Sequence, residues 1–324
     1  MAPTGILLLG FGGPDSIESV GPFMCNLMGR EPSPELLERI CGNYSAIGGK
    51  SPLVDIANDI AQGLGAGLAQ RGHDVEVRVG MRYWHPYIAD SLRELAEAGC
   101  TRVVTVSLSP FESEVASGAY RLAIDEALDS LPGVETVEAP LISGLPAFAD
   151  FLAQSTAAAL SGLATDDNVL VALTAHSLPE SDLVADDPYV AGLRSVASAI
   201  AERLGWAQGA DGAGDPLLAG FSAFGSVEGS QPWLLVYQSK GARPGAWLGP
   251  TLEDLIGAAG GVGIGSLVVC PIGFMTDHME TLFDLDTVAS AQAEKAGLAF
   301  VRATVPNDDE LVVAALADAV SALI

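Results

Sequence analysis
The sequence predicts an α/β protein of two Rossmann-like, doubly wound domains, with mainly parallel sheets of the four-stranded type and a cleft between the domains. Three observations carry this expectation. Short apolar runs of strand length alternate with amphipathic stretches of helix length through both halves of the chain. Those runs are apolar throughout, as strands covered on both faces must be. The 324 residues, 49% of them hydrophobic, also suffice for about two domains with large cores. The expected domains are 1–145 and 146–324, with the final helix a candidate to pack back on the first.

In chain order, Gly5-Ile-Leu-Leu-Leu-Gly10 reads as a buried strand, and Phe11-Gly-Gly-Pro-Asp15 as a turn with Asp15 or Ser16 capping the next helix. That turn is not a G-x-G-x-x-G sequence, so no dinucleotide site follows from it. Helical spacing covers 17–28 and 34–41. After the loop Ala46-Ile-Gly-Gly-Lys-Ser-Pro52 a helix runs over 53–71. Strands at 74–79 and 102–108 flank a helix at 87–98. A long helix over 114–131 and a strand at 134–138 complete the first unit.

The second unit opens with a helix over 147–163. Asn168-Val-Leu-Val-Ala-Leu-Thr-Ala175 is a buried strand that ends on His176. A helix at 189–204 leads into 205–231, rich in Gly, Ala, Ser and Asp, which reads as a long loop. A strand at 233–237, a helix at 252–258 and a strand at 266–272 follow. From Thr276 the letters suit a helix. A short strand at 299–303 and an apolar helix over 308–324 close the chain.

Composition excludes several function classes. The formal net charge is -26, and the only lysines are Lys50, Lys240 and Lys295. An acidic surface of this kind argues against nucleic acid and anionic membrane and is compatible with cationic ligands. The cysteines Cys25, Cys41, Cys100 and Cys270 are widely spaced with no C-x-x-C, so neither a zinc site nor an iron–sulfur cluster is suggested. A reducing, cytoplasmic compartment is expected. No signal peptide is read at the N-terminus, and no apolar run reaches the roughly 18 residues of a membrane span.

The chemistry concentrates in two places. His176 stands where an apolar strand meets the loop Thr174-Ala-His-Ser-Leu-Pro179, the end of a strand that delivers side chains to ligands in open α/β sheets. In Gly273-Phe-Met-Thr-Asp-His-Met-Glu280, continuing to Asp284, a second such strand is followed by a carboxylate row. If the helix starts at Thr276, then Asp277, Glu280 and Asp284 share one face. Among the other histidines, His73 reads as a surface residue, His85 as packing or pocket wall, and His278 as hydrogen-bonded structure. An imidazole and helix-borne carboxylates at the ends of two strands suit a divalent metal, proton transfer, or both. No Walker, G-x-S-x-G or H-E-x-x-H sequence competes.

Several segments resemble the ferrochelatase family, enzymes that insert ferrous iron into a porphyrin. They are Leu7-Leu-Leu-Gly-Phe-Gly-Gly-Pro-Asp15, Ala46-Ile-Gly-Gly-Lys-Ser-Pro-Leu53, Gly80-Met-Arg-Tyr83, the His176 loop, Gln238-Ser239, Trp247-Leu-Gly-Pro250 and Pro271–Glu280, in family order across nearly the whole chain. The resemblance implies that His176 and Glu280 form the catalytic pair and inner metal site. Asp284 continues an acidic row on a helix that often carries a π-bulge. It also implies that Phe11, Tyr44, Ser51 and Tyr120 line the porphyrin cleft.

The implied function is insertion of Fe2+ into coproporphyrin III or protoporphyrin IX with loss of two protons, in haem biosynthesis. Iron and porphyrin are then substrates, with no resident cofactor and a monomer expected. The sequence departs from the family where the row meets Val288 and where Phe11 stands in place of a tyrosine able to ligate. The Gly12–Phe23 run resembles the protoporphyrin branch, and the iron–sulfur cysteine cluster of some members is absent. The rival readings are a chelatase for another tetrapyrrole or metal, such as cobalt or sirohydrochlorin, and a non-catalytic porphyrin or metal carrier.

Overall fold
The structure, a computed structural model, describes residues 3–163, 168–207, 231–241, 243–261 and 263–324. Most of the loop expected at 205–231 therefore lies outside the described residues. The chain divides into two compact units, each with its own parallel sheet. Unit 1 comprises Met1–Phe148, Met275–Met279 and Pro306–Ile324; unit 2 comprises Ala149–Phe274 and Glu280–Val305.

In unit 1 the strands β1 (Thr4–Gly10), β2 (Val75–Met81), β3 (Arg102–Ser107) and β4 (Glu135–Glu138) form a parallel sheet in the order β2-β1-β3-β4. The central β1 is apolar because both its faces are covered: Ile6, Leu7 and Leu8 are wholly buried. Leu7 and Leu9 share one face and join a core with Leu92 and Leu95 of α4 (Ile88–Glu97) and Tyr120 and Ile124 of α5 (Ala119–Leu128). The helix read as continuous over 114–131 is in fact a π turn, Glu114–Gly118, followed by α5. A second core holds Val20 and Phe23 of α1 (Val20–Met28) with Tyr44 of α2 (Pro34–Ala46).

The C-terminal helix, α11 (Glu310–Ser321), belongs to unit 1, together with Met275–Met279. The reason lies in α3 (Leu53–Gln70), whose Gly63 and Gly67 present bare backbone to α11. A methyl at Gly63 would meet Val313 at 3.1 Å, and one at Gly67 would meet Ala317 at 3.1 Å. Glycine permits that approach, and Val312, Leu316, Ala317 and Val320 are buried there. Arg71 pins the pair by donating to Asp318 and to the Ala314 carbonyl. His73 is half-buried and bonded to Ser321 at 2.7 Å, not a free surface residue.

Unit 2 repeats the topology. Its strands β5 (Val169–His176), β6 (Trp233–Gln238), β7 (Ser266–Cys270) and β8 (Ala299–Arg302) are parallel in the order β6-β5-β7-β8. Before β5 runs α6 (Pro146–Ser161), and between β5 and β6 runs α7 (Pro188–Arg203). The helix α8 (Leu252–Ala259) opens with a reciprocal capping box between Thr251 and Asp254. Its buried Leu255 and Ile256 pack with Leu234, Val236, Leu267 and Val269. β7 stops at Cys270 because Pro271 has no N–H for the ladder.

After β7 the structure corrects the carboxylate row. The helix begins at Met279, not Thr276: α9 (Met279–Leu282) passes through a π segment, Asp284–Ala289, into α10 (Ser290–Lys295). Thr287 and Val288 both donate to the Phe283 carbonyl, the second bond widening the turn to i→i+5. Asp277 precedes the helix, and its N–H and carboxylate engage the side-chain amide of Asn307. The shared face of Asp277, Glu280 and Asp284 therefore does not form.

Candidate functional site
With strand order β6-β5-β7-β8, chain connections leave the sheet in opposite directions on either side of the β5/β7 boundary. The crevice beyond the carboxyl ends of those two strands is the place where open α/β sheets hold ligands. His176 is the last residue of β5, and the chain leaving β7 reaches Glu280 on the first turn of α9. The structure brings them together: His176 Nε2 lies 3.1 Å from Glu280 Oε1, each side chain about one-third exposed.

The imidazole is held at both ends. Its Nδ1–H donates to the Ser177 carbonyl at 2.5 Å, leaving Nε2 as the nitrogen that faces the site. The His176 carbonyl accepts from the buried Tyr189 hydroxyl at 2.8 Å. Ser177 is itself fixed, its N–H on the Gln238 carbonyl and its Oγ donating to the Leu248 carbonyl at 2.8 Å. Burial pulls the imidazole pKa down, but the Glu280 charge and hydrogen bond, the Ser177 carbonyl and the Asp284 charge outweigh it and raise it to about 9. The contacts around His176 therefore favour its charged form, with Nε2 facing Glu280.

Asp284 stands at the start of the π segment and accepts a 2.6 Å hydrogen bond from Ser239. Burial raises its pKa to about 6, against the lowering effect of Ser239, with the Glu280 charge adding to the rise. Among the described residues no three His, Cys, Asp or Glu side chains converge into a complete metal cage. The convergent donors are His176 and Glu280, and Asp284 acts on both through its charge.

The four residues expected to line a porphyrin all lie in unit 1. Phe11 follows β1 with its ring 4.7 Å from Tyr83 and 6.5 Å from Phe23. Ser51 is buried against Gly13, where a Cβ would come within 2.5 Å of its Oγ. Tyr44 is buried in the α1–α2 core. Tyr120 is buried under α4, its hydroxyl 3.1 Å from Ser109 and its pKa pushed by burial to about 12. His85 is exposed and lies beside Tyr87, ring centroids 4.4 Å apart and planes tilted by 59°.

Sequence reasoning gave no role to Ser177, Tyr189 or the pair Gln238-Ser239. Gln238 is buried and donates to the Glu280 carbonyl at 2.9 Å. The signal for the last two was visible: a polar dipeptide directly after the apolar strand Trp233–Tyr237.

Comparison with known proteins decides the family. The ferrochelatase family model matches residues 3–323. The chain belongs to the ferrochelatase family. A ferrochelatase of Herpetosiphon aurantiacus is 30% identical over 95% of this chain and 95% of its own length. A coproporphyrin III ferrochelatase of Streptomyces griseus is 33% identical over 97% of this chain and 83% of its own. Among solved structures, SirB from Bacillus subtilis with Fe3+ superposes with a TM-score of 0.55 at 12% identity, over 98% of this chain and 94% of that one, which shows the shared fold. As a ferrochelatase-family member the protein is an enzyme that inserts metal into a porphyrin. Among the described residues no helix is long and apolar enough to cross a membrane.

Proposed function
We propose that this ferrochelatase inserts Fe2+ into coproporphyrin III or protoporphyrin IX, releasing two protons, in haem biosynthesis. The observation that carries the reading is the His176–Glu280 pair at the β5/β7 switch point. Iron is substrate here, and the reading calls for no resident cofactor. Hydrated iron must shed water, and a neutral Nε2 with a carboxylate replaces those waters. The approaching dication repels a proton on Nε2, and at this partly exposed pair that proton passes to solvent water as the metal arrives. As the metal passes to the porphyrin and frees the Nε2 lone pair, His176, held in its tautomer by Ser177, accepts one pyrrole proton and Glu280 assists with the second, and both protons then leave to solvent water. The porphyrin contacts in this reading are Phe11, Tyr44, Ser51 and Tyr120. The free thiols of Cys25, Cys41, Cys100 and Cys270 support a reducing, cytoplasmic setting.

The test is anaerobic insertion by the purified protein. Ferrous iron is offered with each porphyrin separately, and loss of free-porphyrin fluorescence is followed. Turnover with one of them is the expected result and fixes the branch. In His176→Ala, insertion falls by about 100-fold or more while porphyrin binding persists. Porphyrin binding without turnover of either substrate by the wild type would overturn the reading.

A further inference from the structure
We propose that Ser239 is a positioning residue for the metal: from the end of β6 it aims the Asp284 carboxylate as a further carboxylate beside the His176–Glu280 pair. The inference rests on the metal-handling reading above, and on four observations that do not depend on it.

The first is backbone strain. Ser239 sits at φ +57°, a left-handed conformation that costs serine energy and glycine essentially nothing. A serine retained there needs a use for its hydroxyl, and the structure shows one, the 2.6 Å bond to Asp284 Oδ2. The second is the wide turn. Asp284 opens the π segment, where the regular 3.6-residue spacing that would place it over Glu280 is broken. The bond that holds its carboxylate comes from outside the helix.

The third is economy of placement. Gln238 and Ser239 are adjacent, and they reach the two successive carboxylate residues: Gln238 Nε2 holds the Glu280 carbonyl and Ser239 Oγ holds the Asp284 carboxylate. Gln238 also stands in register with His176 across the β5–β6 ladder. The ends of β5 and β6 and the helix after β7 are thereby tied into one constellation. The fourth is what the bond leaves over. Asp284 Oδ1 accepts no hydrogen bond among the described residues, and the residue is only partly buried, so one oxygen is fixed and the other is available.

Ser239→Gly tests this cleanly, because it removes the hydroxyl and relieves the backbone at once. The expected result is a melting temperature equal to or above that of the wild type, with the KM for ferrous iron raised about tenfold or more and the KM for porphyrin unchanged. Ser239→Asn, which tolerates the left-handed backbone and carries an amide donor, restores iron handling in part. Anaerobic calorimetric titration with ferrous iron alone gives a readout independent of turnover, and binding to Ser239→Gly is weakened by the same factor. Unchanged iron affinity, an equal rise in both KM values, or a lowered melting temperature would overturn the proposal. If the wild type turns over neither porphyrin yet Ser239→Gly still binds iron more weakly, the positioning role stands and the ferrochelatase reading alone fails.

Discussion
Gly273→Ala is the substitution that most directly couples packing to chemistry. Gly273 follows β7, its N–H donating to the Thr174 carbonyl at 3.0 Å. A Cβ placed there would lie 2.7 Å from the Ala175 Cβ and 2.8 Å from the Ala175 Cα. Carbon atoms in contact settle at about 3.5–4.0 Å, so the chain after β7 must retreat from the end of β5 by about 1 Å. Neither neighbour can swing aside, since one is backbone and the other a methyl fixed to it. The next residue on β5 is His176, and the displaced chain leads to Glu280.

The 3.1 Å contact between that pair is therefore what the strain opens. A misplacement of about 1 Å in a reacting constellation costs on the order of 100-fold in rate. The overpacking itself costs about 1–3 kcal/mol of stability. The assay is stopped-flow insertion of ferrous iron, with urea denaturation of the same sample. The control is Gly257→Ala on α8, where a Cβ meets nothing within 4 Å. There a gain of about 0.5–1 kcal/mol is expected from helix propensity, with insertion unchanged. A wild-type insertion rate in Gly273→Ala at wild-type stability would refute the reasoning, for it would mean that the ends of β5 and β7 move independently of the pair.

Three further outcomes follow from the same structure. In Glu280→Gln, His176 loses the charge that holds its pKa up. The folded pKa in the wild type is raised from 6.5 to about 9, so its contribution to stability is fully present below pH 6.5 and fades as pH rises through 9. Melting curves of wild type and variant should therefore differ most below pH 6.5 and converge by about pH 10, and parallel curves over that window would contradict the assignment. Gly67→Val drives a larger side chain into Ala317, 3.1 Å from the position of its Cβ, and should cost about 1–3 kcal/mol in urea denaturation. Tyr189→Phe removes the donor to the His176 carbonyl, for an expected loss of about 0.5–1.5 kcal/mol, measured the same way.

What the sequence revealed of the fold, and what it hid, divides along one physical line. β5 and β7 were legible because a strand covered on both faces must be continuously apolar, and Val169–Ala175 and Leu267–Cys270 are nearly so. The destination of α11 was not fixed by its own letters. An apolar helix face will bury against any apolar partner, and the choice of α3 depends on Gly63 and Gly67, far away in sequence, admitting close approach. The letters therefore make α11 only a candidate for unit 1, because the pairing joins distant elements, which local patterning does not encode.

The same line runs through the site. His176 is legible because a polar, titratable residue at the end of an apolar strand is a local anomaly; a second such strand marks the row of Asp277, Glu280 and Asp284, and only the family resemblance singles out Glu280 within it. The geometry of the carboxylates is not legible, because a single helical period from Thr276 onward puts Asp277, Glu280 and Asp284 on one face. In the structure Asp277 is drawn away by Asn307, and the period is broken at Asp284 by a π turn. A π turn gives up regular spacing and must be stabilised by contacts outside the helix, here from the strand end that carries Gln238 and Ser239. The irregular turn and the strained serine therefore answer one requirement. Two carboxylates one helical turn apart on a regular helix would present the same spacing to every cation. A widened turn with an external hydrogen bond sets the second carboxylate separately from the first.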